Sequence, residues 1–432
     1  MNIFLKNAQI VTLNEKDEVI KEGCLGIKGG WIDYIGVCNS TIEAGYSKVI
    51  DCRGKTVMPG FVNAHNHLAM TMFRNYADDM KLMDWLFTKI FPLEDKLTDE
   101  AVYWASLLAM VEMIKGGTTT FSDMYFFMES TARAASESGM RAALSRGLQG
   151  ESGVEELDHR LRENLELYDT YHNSCKGRIK VMLGPHSVYT TSEAYLRKVA
   201  DTSRSRGIAV QIHLSETRDE VKGCIEKHGM SPVRYLDSLG LLDGNTVAAH
   251  CVVVDEADID ILAERRVNVV HNPGSNMKLA SGIAPVARML DKGINVCLGT
   301  DGASSNNNLD MLEEIRMAAY LQKVANDDPT ALPVDTVIRM AAERGARALG
   351  FDNVGRLVLG SSADVIVLNT EKAQYYPKYN IKSSIVYSGS SSDVETVIID
   401  GNLVMEGGHL VTLDEERILY KAQKWASRLT GQ

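Results

Sequence analysis

The chain has 432 residues, 45% hydrophobic and 24% charged, an ordinary globular composition with room for one large domain and a smaller one. A net charge of −11 without any Lys/Arg block argues against a nucleic-acid or anionic-membrane partner. No run approaches ~18 apolar residues and the start lacks the apolar core of a signal peptide, so the expectation is a soluble, cytoplasmic protein.

Residues 1 to about 56 read as short alternating strands separated by turns: IFLKNAQIVTL, EVIKEGCLGIKGGWIDYIGV and KVIDCRGKTV. From there short apolar runs alternate with helical stretches such as DEAVYWASLLAMVEMIKG. Eight such runs follow: 57–65, 117–124, 140–147, 178–186, 208–216, 246–252, 267–273 and 294–302. Near-continuous apolar runs alternating with helices argue for a parallel sheet covered on both faces, and eight of them close a (β/α)8 TIM-like barrel. The tail returns to β texture in RLVLGSSADVIVLN and ETVIIDGNLVMEGG. The predicted α/β architecture is thus a barrel over 57–354 inserted in a small β-sandwich domain built from 1–56 and 355–432. The seven cysteines, at 24, 38, 52, 175, 224, 251 and 297, are scattered, odd in number and without a CxxC pair. That pattern argues against a disulfide framework or a cysteine zinc site.

Six of the ten histidines stand at or just beyond the end of one of the eight runs. They are His65 and His67 (run one), His186 (four), His213 (five), His250 (six) and His271 (seven); Asp301 ends run eight in GTDG. One such histidine alone would be read as a hydrogen-bonded core residue. On a barrel, however, all strand C-termini face one rim, where active sites are built, so residues distant in sequence converge there. His65 and His67 are two apart and point to one face of a strand, where they can share a metal. His213 and Asp301 would complete a nitrogen and oxygen shell suited to zinc, or to iron(II), with a position left for water.

With these motifs the chain resembles the amidohydrolase superfamily, through PGFVNAHNH, the HLSE that contains His213, AAHC with His250, and GTDG with Asp301. Within it, HNPGSNMKLASGIAPV and LGTDGASSNNNLDM are similar to the 5-methylthioadenosine/S-adenosylhomocysteine deaminases. The resemblance covers essentially the whole chain. It implies a metal-dependent deaminase acting on a small adenosine-type substrate, and leaves a homo-oligomer open. Binuclear members usually place a carboxylated lysine at the end of strand four; here that strand ends Gly184-Pro185-His186, with Lys180 too early, which implies one metal per chain, most simply Zn2+.

The resemblance also implies roles. Asp301 would act as base toward the attacking water, Glu216 would protonate the ring nitrogen next to the attacked carbon, and His250 would stabilise charge beside it. Glu216 read alone could be a helix-cap carboxylate, and His250 a hydrogen-bonder behind the ligands. Glu94, in IFPLEDKL, matches the acid that binds ribose hydroxyls, although its charged neighbours also suit a solvated helix. Arg146 ends strand three and, with Arg160, would meet a substrate carboxylate; Arg162 competes with Arg160 for that place. His186 would contact substrate. His271 is read as structural, and Trp85, at helical spacing with Leu82, Leu86 and Ile90, as core rather than ligand contact. Competing readings on this scaffold are guanine or cytosine deamination and chlorotriazine hydrolysis, whose substrates have no ribose for Glu94. A non-catalytic metal-binding barrel is a further one, but it would have no use for an acid such as Glu216 beside an open metal site.

Overall fold

The computed structural model describes residues 2–150 and 155–431. The alternating N-terminal segment folds into β1 (Ile3–Val11), β2 (Val19–Lys28), β3 (Trp31–Gly36), β4 (Lys48–Asp51) and β5 (Lys55–Pro59). β1, β2 and β3 form an antiparallel meander, while β4 and β5 lie parallel to β1. Ile3, Leu5, Ile10, Leu25 and Ile27 turn inward to a small core of their own, with period-two alternation on either side of an irregularity in β1 between Leu5 and Ile10 that switches its parity. The meander also sets Cys24 opposite Gly36, two residues before Cys38, and the two cysteines form a disulfide with Cα atoms 5.1 Å apart. The expectation that the scattered cysteines form no disulfide framework is corrected at this one pair: strand register brings together what spacing does not reveal. The other five cysteines are free.

The barrel strands are β6 (Phe61–Asn63), β7 (Thr118–Tyr125), β8 (Arg141–Leu148), β9 (Ile179–Val181) continued by β10 (Gly184–Pro185), β11 (Val210–Leu214), β12 (Thr246–His250), β13 (Asn268–His271) and β14 (Asn295–Leu298). Neighbours run parallel from β6 to β10 and again from β11 to β14. Two seams close the ring. Leu183 donates to Ala209 O (2.8 Å) and Gln211 to Leu183 O (2.9 Å); Ala64 donates to Leu298 O (2.9 Å) and Asp301 to His65 O (3.1 Å). The eight apolar runs therefore become eight parallel staves. The run 57–65, expected as one strand, is two: β5 pairs into the terminal sheet and β6 into the barrel. Gly60 separates them, and a Cβ there would lie 2.2–2.8 Å from the Thr119 side chain.

The chain returns through β15 (Val365–Asn369), β16 (Val394–Ile399), β17 (Asn402–Glu406) and β18 (His409–Leu410). β15 lies antiparallel between β5 and β16, with Val367 opposite Val57, so both ends of the chain share one nine-stranded sheet. The tail is not wholly β as expected. A helix over Glu415–Thr430 buries Ile418, Ala422 and Leu429 and lies along the barrel helix Asp99–Lys115. Lys115 Nζ meets the Glu415 carboxylate at 2.8 and 2.9 Å, and Arg417 sits over Trp104. Among the described residues no helix is long and apolar enough to cross a membrane.

Barrel and sheet are tied by a buried ionic knot. Arg141, at the start of β8, donates to both oxygens of Asp364 (2.8 and 2.9 Å) and to Asp400 (3.0 Å). Asp364 is 1% exposed, and its carboxylate would be left uncompensated without the guanidinium. Breaking a buried pair from one side typically costs about 3–5 kcal/mol. Arg141→Met should therefore lower the unfolding free energy by about that much; a urea-unfolding curve superimposable on that of the parent protein would show that the knot does not hold the two parts together.

Candidate active site

The ends of β6, β11, β12 and β14 point their side chains to one place. His67 Nδ1 bonds Met124 O (2.7 Å), His213 Nδ1 bonds His186 O (2.8 Å), and His65 Nδ1 faces Gln211 Oε1 (3.4 Å). A carbonyl can only accept, so Nδ1 carries the proton on His67 and His213, and Nε2 presents a lone pair. These two Nε2 atoms are 3.1 Å apart, and His65 Nε2 is buried with no hydrogen-bond partner among the described residues. Two lone pairs facing each other in a dry site repel unless a cation lies between them. The ligand atoms of His65, His67 and His213 all fall within 4.8 Å of one another, so the three residues fit a divalent ion. Burial lowers the pKa of all three imidazoles, that of His65 to about 3, which keeps them in the neutral form a metal requires.

Asp301 Oδ1 stands 3.3 Å from His67 Nε2 and 3.6 Å from His65 Nε2. Its carboxylate accepts hydrogen bonds from Ser275 Oγ (2.6 Å), Ser305 Oγ (3.0 Å) and Gly302 N (2.8 Å). Burial opposes its charge, yet the imidazoles of His67, His250 and His65 hold the carboxyl well below its usual range. His250 Nδ1 meets Asn276 Oδ1 at 2.9 Å, which aims Nε2 toward Glu216 at 3.9 Å. Although burial works against protonation, the carboxylates of Glu216 and Asp301 raise the pKa of His250. Burial raises the pKa of Glu216, whose Oε1 lies 3.5 Å from Ser281 Oγ. Ser215, His250 and Asp301 all have positive φ (51°, 77° and 61°), a strained turn at each strand end that clusters at functional sites.

Glu94, His186, Glu216, His250 and Asp301 line one cleft, together with the ligand imidazoles His67 and His213. Glu94 Oε1 accepts from the Tyr125 hydroxyl at 2.5 Å, and burial pushes its carboxyl up to about 7. The His186 ring lies 4.6 Å from that of His213, and its Nδ1 bonds Thr190 Oγ1 at 2.8 Å. Trp85, read as core, is buried but faces this cleft.

The two arginines are placed differently from the expectation. Along β8, Ser145 points into the barrel to receive Gln211 Nε2 (2.8 Å), so the next residue, Arg146, turns outward. Its guanidinium bonds Glu163 (2.9 Å) and Gly147 O (2.6 Å) and covers the Phe126 ring. Arg160 bonds Gln149 O at 3.1 Å. Neither lines the cleft, though each touches a residue that does, Phe126 and Gln149 respectively. Arg162 is exposed. His271 is fully buried, away from the cleft lining, with neither ring nitrogen hydrogen-bonded among the described residues. No lysine lines the cleft among the described residues, and Lys180 Nζ lies 3.5 Å from Asn173.

Three supporting residues escaped the sequence reading. Gln211 holds His65, and its outward sign is a second polar residue, besides His213, inside the run VQIHL. Asn276 orients His250 from the helix Pro273–Lys278. The buried carboxylate of Glu220 accepts both backbone N–H groups of the turn, Ser215 N at 3.0 Å and Glu216 N at 2.7 Å, and so stabilises the strained conformation that presents Glu216. A glutamate four residues after Glu216 at a helix start reads as surface charge, which concealed it.

Two curated relatives named 5-methylthioadenosine/S-adenosylhomocysteine deaminase are similar to this chain over their full length. That of Thermoanaerobacter pseudethanolicus is 46% identical over 430 residues, 99% of either chain, and that of Syntrophomonas wolfei 47% over 434 residues, 100% of either. A crystal structure of a zinc-bound adenosine deaminase from Xanthomonas campestris superposes with a TM-score of 0.95 at 31% identity, covering 100% of this chain and 99% of that one. Residues 56–404 match the amidohydrolase family, and with this barrel and this rim the chain belongs to it.

Proposed function

We propose that the protein deaminates the adenine ring of 5′-methylthioadenosine and S-adenosylhomocysteine by hydrolysis, releasing ammonia and the inosine-type product, with one zinc ion per chain. The observation that carries this reading is a single cleft with Glu216 and Asp301 at the three-histidine cluster and the half-buried Glu94 in the same wall. The names of the full-length relatives support the substrate class. His65, His67, His213 and Asp301 would hold the ion. When bound, such an ion supplies Lewis acidity that brings the pKa of water from about 16 to about 7.

The rest is the work of the chain's own residues. Asp301, its pKa held down by the imidazoles of His67, His250 and His65 and its oxygens oriented by two serine hydroxyls and a backbone N–H, is suited to take a proton from the attacking water and deliver it to the departing ammonia. Glu216, whose pKa burial raises, is suited to carry a proton to the ring nitrogen beside the attacked carbon. His250, between these two carboxylates, stabilises charge that develops near them. Glu94 offers two acceptor oxygens for the 2′ and 3′ hydroxyls of ribose, a group that free bases and triazines lack.

Following the loss of adenine-ring absorbance with methylthioadenosine, S-adenosylhomocysteine and adenosine tests the reading directly. Protein stripped of metal should be inactive and should recover with close to one equivalent of zinc; two tightly held ions would sink the mononuclear site. Glu216→Gln should lower kcat by ~100- to 10,000-fold with a much smaller change in substrate affinity, because the proton matters in the transition state. A variant turning over at the parental kcat would remove Glu216 from the chemistry.

A homocysteine tail leaving the cleft past Phe126 and Gln149 meets the two residues that Arg146 and Arg160 touch, whereas methylthioadenosine ends in a methyl group with nothing for a guanidinium to bind. Arg146→Met and Arg160→Met should each cut kcat/KM for S-adenosylhomocysteine by about 10- to 150-fold, one charge-assisted hydrogen bond's worth, and largely spare methylthioadenosine. Glu94→Gln should impair both substrates. Equal losses on the two substrates in both arginine variants would mark these arginines as structural.

A further inference from the structure

The segment that carries Glu94 is not a regular helix. Leu82–Trp85 is α-helical, Leu86–Ile90 is a π-turn, and Phe91–Glu94 is α-helical again. The Phe91 N–H reaches back five residues to Leu86 O, where an α-helix would bond Phe87 O, four back. The sequence supplies the cause in Pro92. Proline has no N–H to donate, and within an unbroken α-helix its ring would strike the carbonyl four residues earlier, that of Thr88. Widening the turn by one residue removes that collision.

The extra residue changes which side chains face the cleft. Leu82, Trp85 and Leu86 line it, at i, i+3 and i+4. A helix turning ~100° per residue would carry this stripe on to Ile90 and Leu93. Instead Phe91 and Glu94 line the cleft, each one residue later, while Ile90 and Leu93 are buried in the core. Glu94 is thereby brought to the Tyr125 hydroxyl. We propose that Pro92 is a positioning residue: by imposing the π-turn it presents the carboxylate of Glu94 to the substrate in the place that Leu93 would otherwise take. The proposal rests on the reading of Glu94 as the ribose-binding acid, and concerns how that acid comes to be there.

Two measurements test it. In kinetics with methylthioadenosine, Pro92→Ala should raise KM as much as Glu94→Gln does, about tenfold or more, with little change in kcat. Combining the two changes should add nothing further. The triple variant Pro92→Ala, Leu93→Glu, Glu94→Leu should recover most of the affinity, which a merely destabilised protein would not do. Separately, a cysteine placed at 94 should be shielded from a maleimide by the inosine-type product, and in the Pro92→Ala background that shielding should pass to a cysteine at 93. A silent Glu94→Gln would overturn the ribose reading, leaving the labelling to judge Pro92. A parental KM in Pro92→Ala while Glu94→Gln is impaired, or shielding that stays at position 94, would overturn the role of Pro92.

Discussion

The site depends on the seam where the last stave of the barrel meets the first. Ala64 donates to Leu298 O and Asp301 to His65 O, and the two bonds set the HxH pair and the aspartate side by side although more than half the chain separates them. The approach is so close that a Cβ on Gly299 would stand 2.6 Å from Asn272 Oδ1, 2.8 Å from His65 N and 2.9 Å from His65 O. Only a hydrogen fits. A barrel open at this seam would keep every histidine and lose the constellation.

Around the seam the protein sustains an arrangement that is unfavourable in parts. Imidazoles are buried in neutral form with lone pairs converging, and Ser215, His250 and Asp301 hold left-handed backbone angles at about 1–3 kcal/mol each. Each strained turn has its own support: the Glu220 carboxylate under Ser215 and Glu216, Asn276 against His250, and two serines with a backbone N–H around Asp301. The supports lie on helices and loops after the strands, so geometry at the rim is held from outside the barrel as well as from its floor.

This division explains what could be read from the sequence. The staves were legible because they are buried on both faces and appear as apolar runs, and the rim histidines because a polar residue ending such a run stands out. The supports were not. Glu220 looks like any exposed helix glutamate, and its burial comes from a turn that no local pattern announces. The outward direction of Arg146 follows from the parity of β8, which a one-residue uncertainty in a strand's start reverses. The split of 57–65 into β5 and β6 was hidden because both halves are apolar, one for the sheet and one for the barrel. Helical periodicity groups Trp85 with Leu82, Leu86 and Ile90, yet Ile90 does not reach the cleft as the other three do, since the π-turn over Leu86–Ile90 breaks the period there.

The shared sheet has a consequence for how the molecule comes into being. β5 runs directly into β6, yet its second hydrogen-bonding edge is filled by β15, which is made only after the entire barrel. Arg141 likewise has to wait for Asp364 and Asp400. A nascent chain that has already emitted every stave therefore carries an open strand edge and an uncompensated guanidinium at its base, the kind of exposed pairing template that invites association with other chains. Synthesis and folding cannot proceed domain by domain from the N-terminus here. The strand that closes this edge of β5 is made only after every stave, so a chain stopped before Val365 would leave β5 unpaired on that side.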